Sequence, residues 1–235
     1  DPSVALERAQ GFAAEVTELV CSVMHGSCEF RAMKLGNQVQ ISVFDGSGNI
    51  EDIPLYIGGD RVGTWRYPGS LTLDRFGEHL KVLRSNFTLR ADVDKTPLVR
   101  YEFDDKMHSA PSAHWQFHGE RGAFSHLLGI AQGKGRKRVK PHSLSSLHFP
   151  VGGTRMRVGI EDLLEFLVSE CHFDARGGWQ GAISESRRKY RIIQARTLAR
   201  DAQNDVADVL RSQGWTVVPP DPAPGPANGS ALTRW

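Results

Sequence analysis

Apolar residues recur at every third or fourth position near both ends of the chain and at every second position through much of the middle. Over residues 5–24 this spacing predicts a helix with one buried face. Residues 160–171 follow the same rule, and Glu161 and Asp162 stand where the positive end of a helix dipole favours carboxylates. A third helix is predicted over residues 184–212, basic in its first half and apolar along one side of its second half.

The middle of the chain reads as short strands separated by turn signals. Val39, Ile41 and Val43 alternate with polar residues, which is typical of a sheet buried on one side. Strands are predicted over residues 28–35, 39–44, 53–57, 65–67, within 79–92, and over 98–103, 113–117 and 147–151, with a turn or short helix over 73–77 and a short helix over 124–131. The pattern predicts an α+β fold, in which a mainly antiparallel sheet carries an N-terminal helix and two C-terminal helices packed on one face.

The composition is that of a globular protein, with 40% apolar and 24% charged residues in 235. We expect a core domain over residues 1–178, a basic helix over 179–218 packed on it, and a disordered tail over the Pro-rich residues 219–235. No apolar run is long enough for a membrane span, and the first residues lack the layout of a secretion signal. Three cysteines without a CxxC pair argue against a disulfide framework, so a cytoplasmic location is predicted.

Charge divides the chain into two unlike parts. Residues 1–120 carry 12 Lys and Arg against 17 Asp and Glu, whereas residues 121–200 carry 15 against 6. This asymmetry favours RNA, another nucleic acid or an acidic protein as the partner. The candidate contacts lie in a basic loop and in the first half of the third helix: Lys134, Arg136, Lys137, Arg138, Lys140, Arg187, Arg188, Lys189 and Arg191. Glycine-rich cofactor motifs in a strand–loop–helix frame are absent, so no cofactor is predicted.

Six of the nine histidines fall within residues 108–148, and five of these lie on or near predicted strands: His108, His114, His118, His142 and His148. In the strand over 113–117, His114, Gln116 and the following His118 alternate with the aromatic residues and should share one face. Four strand positions separate His114 from His118 by about 13 Å, too far for both rings to bind one zinc ion directly. No HExxH motif is present, so we predict no metal site; His148 with one of the other two would be the best ligands otherwise.

Metal-independent acid–base chemistry is a second interpretation. If the strand of His148 pairs with that of His114 and His118, two imidazoles lie about 5 Å apart on one solvated surface. Histidine titrates near neutrality, and RNA supplies its own nucleophile, the 2′-hydroxyl. Arg100 would then contact the phosphate and Glu102 would orient an imidazole. A third interpretation is that these histidines are only solvated or hydrogen-bonded strand residues.

The segment RYEF…AHWQFHG…LHFPVGGTRMRVGIEDLLEFLVSE, within residues 98–171, resembles a group of actinobacterial proteins without an assigned function. More distantly, it is similar to the toxin half of the TumE–TumA toxin–antitoxin pairs. The resemblance implies a growth-inhibiting, RNA-directed activity, an antitoxin as the partner protein, and roles for Arg100, His114 and His148. The hypothesis is therefore a bacterial nuclease-like toxin, a ribonuclease or phosphodiesterase; the alternative is a non-catalytic module that binds nucleic acid or protein through its basic segments.

Overall fold

The computed structural model describes residues 2–74, 76–108, 110–119, 143–146, 148–151, 157–223, 225–227 and 229–233, together with residues 122, 125, 129, 132, 140 and 155. The helices are α1 (Pro2–Val23), α2 (Ile160–Glu165), which continues as a π-helix (Phe166–Glu170), α3 (Trp179–Asp201), α4 (Gln203–Ser212) and α5 (Gly229–Thr233), with a 3₁₀ turn at Leu144–Ser146. The strands are β1 (Phe30–Leu35), β2 (Gln38–Val43), β3 (Ile53–Ile57), β4 (Asp60–Arg66), β5 (Gly69–Leu73), β6 (Leu80–Ala91), β7 (Val99–Asp104), β8 (Ala113–Phe117) and β9 (Phe149–Pro150).

The sheet is antiparallel throughout the described residues and is organised around the twelve-residue strand β6. The first half of β6 pairs with β5, and its last residues pair with β4. On its other edge β6 pairs with β7, and the order continues through β8 to β9. A strand of this length can serve two neighbours in succession, so the sheet curls instead of remaining flat. The predicted α+β fold, with an antiparallel sheet, an N-terminal helix and C-terminal helices, is confirmed.

One face of the sheet is apolar and packs against the helices. Ring contacts run across it from Phe30 to Trp65 (6.5 Å between centroids), Phe87 (6.1 Å), Trp115 (6.3 Å) and Tyr101 (5.2 Å). Small and β-branched residues at helical spacing let α1 approach this face closely: Ala9, Ala13, Val16, Val20 and Val23. The helix α2 and its π-helical continuation bury Leu163, Leu164 and Leu167 completely. Each such side chain stabilises the fold by about 1.5–3 kcal/mol relative to an exposed position.

The bounds of several elements differ from the prediction. The strand β5 was missed because only Leu71 and Leu73 alternate with small polar residues, and the prediction places a turn or helix over 73–77 instead. The helix predicted over 184–212 begins earlier, at Trp179, and is interrupted at Ala202, next to the ion pair of Asp201 with Arg155. The helix predicted over 124–131 and parts of the tail lie outside the described residues. None of the described helices combines the length and the apolar content needed to span a bilayer.

Candidate functional site

The face of the sheet opposite the helices carries a row of polar side chains that crosses four strands and ends at the residue before β9. The pairing register places Arg66 opposite Thr88, Thr88 opposite Arg100, and Arg100 opposite Gln116. The row ends at His148, whose Nδ1 lies 3.4 Å from Nε2 of Gln116. Residues directly opposite each other on neighbouring strands share a face. The row therefore brings together side chains that are up to 82 positions apart in the sequence.

A second row runs beside the first and contains the predicted imidazole pair. Glu102 lies between Asn86 on β6, which donates to its Oε1 over 2.8 Å, and His114 on β8, whose Nε2 lies 3.6 Å from its Oε2. The rings of His114 and His148 meet edge to face, with centroids 4.4 Å apart. The predicted pairing of the His114 strand with the His148 strand is confirmed, since β8 pairs with β9.

The surroundings of His114 differ from the expected solvated surface. This side chain is completely buried, and its Nδ1 lies 2.7 Å from the carbonyl oxygen of Pro111. A carbonyl only accepts hydrogen bonds, so Nδ1 carries a hydrogen. Nε2 of the same ring faces Oε2 of Glu102 at 3.6 Å, and within the described part of the chain it has no partner at hydrogen-bond distance. His114 is therefore held in one orientation and cannot exchange protons directly with bulk water.

Two histidines remain partly exposed and are biased towards their neutral form. Burial lowers the pKa of His148 below its ordinary value, and the neighbouring His114 lowers it further. Burial likewise lowers the pKa of His118, and the Arg100 guanidinium adds to this. Near neutral pH both rings are thus largely neutral and able to accept a proton.

The Glu102 carboxylate stays ionised. Its contact with His114 is the largest cause that lowers its pKa, against the effect of burial, and Arg100 and Asn86 contribute. The nearest guanidinium nitrogen, Nη1 of Arg100, lies 4.0 Å from Oε1 of Glu102. All the predicted catalytic residues thus lie on one face, around Gln116: Arg100, Glu102, His114, His118 and His148.

Sequence reasoning missed two further arginines on this face. Arg66 and Arg90 converge on Asp52, with Nε of Arg66 3.6 Å from Oδ1 and Nη1 of Arg90 3.4 Å from Oδ2. A signal for Arg90 was available, because Thr88 and Arg90 alternate with the core residues of β6 just as Arg100 alternates on β7. Arg66 is the last residue of β4, and the sequence around it shows no comparable alternation.

The predicted nucleic-acid contacts on α3 lie apart from this face, among the helices. Lys134, Arg136, Lys137 and Arg138 of the basic loop lie outside the described residues, and Lys140 is exposed. In α3, Arg187 contacts Asp162 and Glu165, which links the helix to α2. Arg188 and Lys189 both pair with Glu185, at 2.9 and 3.9 Å, and Arg191 is exposed. Three of the four helix cations are thus engaged by carboxylates of the protein itself.

The arrangement on the sheet suits the binding of an anion next to a proton acceptor. It combines neutral imidazoles, an ionised carboxylate and guanidinium groups on one half-buried surface. Among the described residues, no group of three or more His, Cys, Asp or Glu side chains is arranged to hold a metal ion. The chain matches no protein-family model, no curated protein and no solved structure. The resemblance to TumE-like toxins therefore stays a prediction.

Proposed function

We propose that this protein cleaves a phosphodiester bond of RNA, or a related phosphate ester, by acid–base chemistry of the histidines on the polar sheet face. The observation that carries the proposal is the contact of the His114 and His148 rings, 4.4 Å apart, beside the Glu102–Arg100 pair. This contact orients His148 beside His118 and Arg100, so that two proton-transfer imidazoles and a cation are available, which are the groups that this reaction requires.

In the proposed reaction His148 is the proton acceptor. Its neutral ring takes the proton of the 2′-hydroxyl, the 2′-oxygen bonds to phosphorus, and the bond from phosphorus to the 5′-oxygen breaks. His118 acts as the acid in its protonated form, which its lowered pKa makes the minor form near neutral pH. This ring gives a proton to the departing 5′-oxygen, so the products are a 2′,3′-cyclic phosphate and a free 5′-hydroxyl. His118 and His148 flank Gln116, one along β8 and one across to β9, which separates their Cβ atoms by roughly 7 Å.

Arg100 and Glu102 have different tasks in this scheme. Arg100 lies directly opposite Gln116, so its guanidinium can contact the phosphate oxygens as charge accumulates on them. Glu102 touches no reacting atom and is a positioning residue, as is the buried His114. Together they fix the ring of His148 through the edge-to-face contact.

The decisive experiment is the substitution His148→Ala with two separate measurements. Cleavage of a short fluorescent RNA should fall at least about a hundredfold, the usual contribution of a proton-transfer group. Affinity for the same sequence with 2′-O-methyl groups, which cannot be cleaved, should change less than about threefold, because the phosphate contacts remain. His108→Ala, at an exposed position in the loop after β7, is the matched control and should behave like the wild type.

The toxin interpretation adds a cellular readout. Expression of the wild-type protein should arrest growth of a bacterial host and leave fragmented RNA, whereas His148→Ala should permit growth at the same protein level. If growth arrest and RNA binding instead survive His148→Ala and disappear only when the cations of residues 134–140 and 187–191 are neutralised, the non-catalytic binding module is the correct function. The pairing of Arg187, Arg188 and Lys189 with carboxylates argues against that alternative.

A further inference from the structure

The polar row extends beyond the proposed catalytic groups. On the side of Arg100 away from Gln116 it passes Thr88, which is nearly fully buried, and reaches Arg66 on β4. Arg90 lies two positions further along β6 than Thr88 and so projects from the same face. The side chains of Arg66 and Arg90 are 34% and 19% exposed, so both are partly shielded from water while still accessible to a ligand.

Positive charge exceeds negative charge in this part of the face. Arg66 and Arg90 share one carboxylate, Asp52, and no other described carboxylate lies within ion-pair distance of either guanidinium. Both contacts, at 3.6 and 3.4 Å, are longer than a tight charge-assisted hydrogen bond. Asp52 therefore holds the two guanidinium groups near each other without saturating their donors.

The arginines also repel one another. Burial is the largest cause that lowers the pKa of Arg90, and Arg66 and Arg100 add to it, with Asp52 opposing them. Like charges held together in a partly buried site cost free energy in the absence of a counter-charge. A bound anion would supply that counter-charge. A phosphate group, with several oxygen acceptors, fits the planar donor geometry of guanidinium better than a halide ion does.

We propose that Arg66 and Arg90 form a second phosphate subsite, so that the substrate is an RNA strand with at least two phosphates bound at once. This inference rests on the proposed function, since it places the scissile phosphate at Arg100 and His148. Arg66 and Arg100 are two strand spacings apart, about 10 Å, which keeps the two phosphate sites distinct. Guanidinium groups at the subsite would contact the backbone and add affinity without selecting a base.

The test compares a long and a short substrate. Arg90→Gln and Arg66→Gln should each lower kcat/KM about tenfold on a pentanucleotide, through KM, and leave cleavage of a dinucleoside monophosphate within about twofold. The short substrate has one phosphate and cannot occupy both sites. Arg61→Gln is the matched control, because Arg61 is on the same strand as Arg66 but is exposed and paired with Asp92 at 3.0 Å. Melting temperatures of all variants check folding, and having two independent arginines guards against one unstable variant.

The outcomes separate this inference from the proposed function. If cleavage depends on His148 but Arg66→Gln and Arg90→Gln affect both substrates equally or neither, the subsite is wrong and the proposed function stands. If the wild type cleaves neither RNA, the proposed function fails, and binding of a 2′-O-methyl pentanucleotide decides the subsite. About tenfold weaker binding by Arg90→Gln, but not by Arg61→Gln, would then support it; equal or undetectable binding by all forms would overturn it.

Discussion

A group of three cations on α3 and a group of three arginines on the polar sheet face differ in their surroundings. On α3, Arg187, Arg188 and Lys189 face three carboxylates, with Asp162 and Glu165 around Arg187 and Glu185 beside the other two. On the polar sheet face, the three arginines at positions 66, 90 and 100 face two carboxylates among the described residues, Asp52 and Glu102, and Glu102 also contacts His114. The helix group is balanced in charge, whereas the sheet group is not.

The comparison shows that charge density along the sequence is a poor guide to where positive charge stays unbalanced. The helix cations are consecutive and therefore conspicuous, yet neighbours on adjacent turns and on α2 neutralise them. The sheet arginines are 24 and 10 residues apart and become neighbours only through strand pairing. Whether a group of cations keeps excess positive charge depends on which carboxylates lie next to it in the folded protein, and the periodicity of the sequence does not predict those contacts.

The largest expected difference between the two groups concerns RNA affinity. Replacing all three sheet arginines by Gln should weaken binding of a 2′-O-methyl oligonucleotide by about a hundredfold or more, because each charge-assisted phosphate contact is worth over 1 kcal/mol. Replacing Arg187, Arg188 and Lys189 by Gln should change affinity less than about threefold, because carboxylates of the protein already neutralise them. Fluorescence anisotropy over a salt series measures both effects.

The salt series also provides a control. The slope of log affinity against log salt should fall by about 2 in the sheet variant, near 0.7 for each lost single-strand contact, and should stay unchanged in the helix variant. An equal loss in the two variants would mean that net charge alone governs binding, and would remove the distinction between the two groups.

Much of the fold was accessible from the sequence because its signals are local. The spacing of Ala9, Ala13, Val16 and Val20 defines the buried face of α1, and the alternation around Tyr101 defines that of β7. The strand β5 was missed because its alternating residues are short and few. The interruption of the long helix at Ala202 was also missed. It lies next to Asp201, which pairs with Arg155, a residue 46 positions earlier in the sequence.

The candidate site was accessible only in part. Alternation correctly grouped His114, Gln116 and His118, and the pairing of β8 with β9 brought in His148. The burial of His114 was not predictable, because it depends on the path of the loop that brings the Pro111 carbonyl to its ring. Arg66 and Arg90 were missed since their proximity to Arg100 depends on β4 pairing with the end of β6.

A smaller difference is expected in stability. Arg187→Gln should lower the free energy of unfolding by about 1 kcal/mol, because it leaves Asp162 and Glu165 without their shared partner. Although burial alone would lower the pKa of Arg187, these two carboxylates raise it, so folding favours its charge. Arg90→Gln should change the free energy of unfolding by less than about 0.5 kcal/mol, since burial and Arg66 lower the pKa of Arg90 and its charge is disfavoured on folding. Urea denaturation of the two variants measures both values; a loss in Arg90→Gln that equals the loss in Arg187→Gln would assign Arg90 a structural role.

The smallest effect is a change in histidine titration. Arg100→Gln should raise the pKa of His118, because the guanidinium is the second cause, next to burial, that lowers it. The pKa of His148 should stay unchanged, since burial and His114 lower it.

In the wild type both folded-state pKa values lie below the unfolded value of about 6.5. The unfolded chain therefore binds more protons just below that pH, and stability falls as the pH drops through this window. This loss of stability should be smaller in Arg100→Gln. NMR titration of the imidazole protons measures the two pKa values, and melting temperatures recorded as the pH is lowered measure the loss of stability. If both histidines shift together, Arg100 acts on the whole face, and the separate placement of His118 beside the cations and His148 beside His114 is wrong.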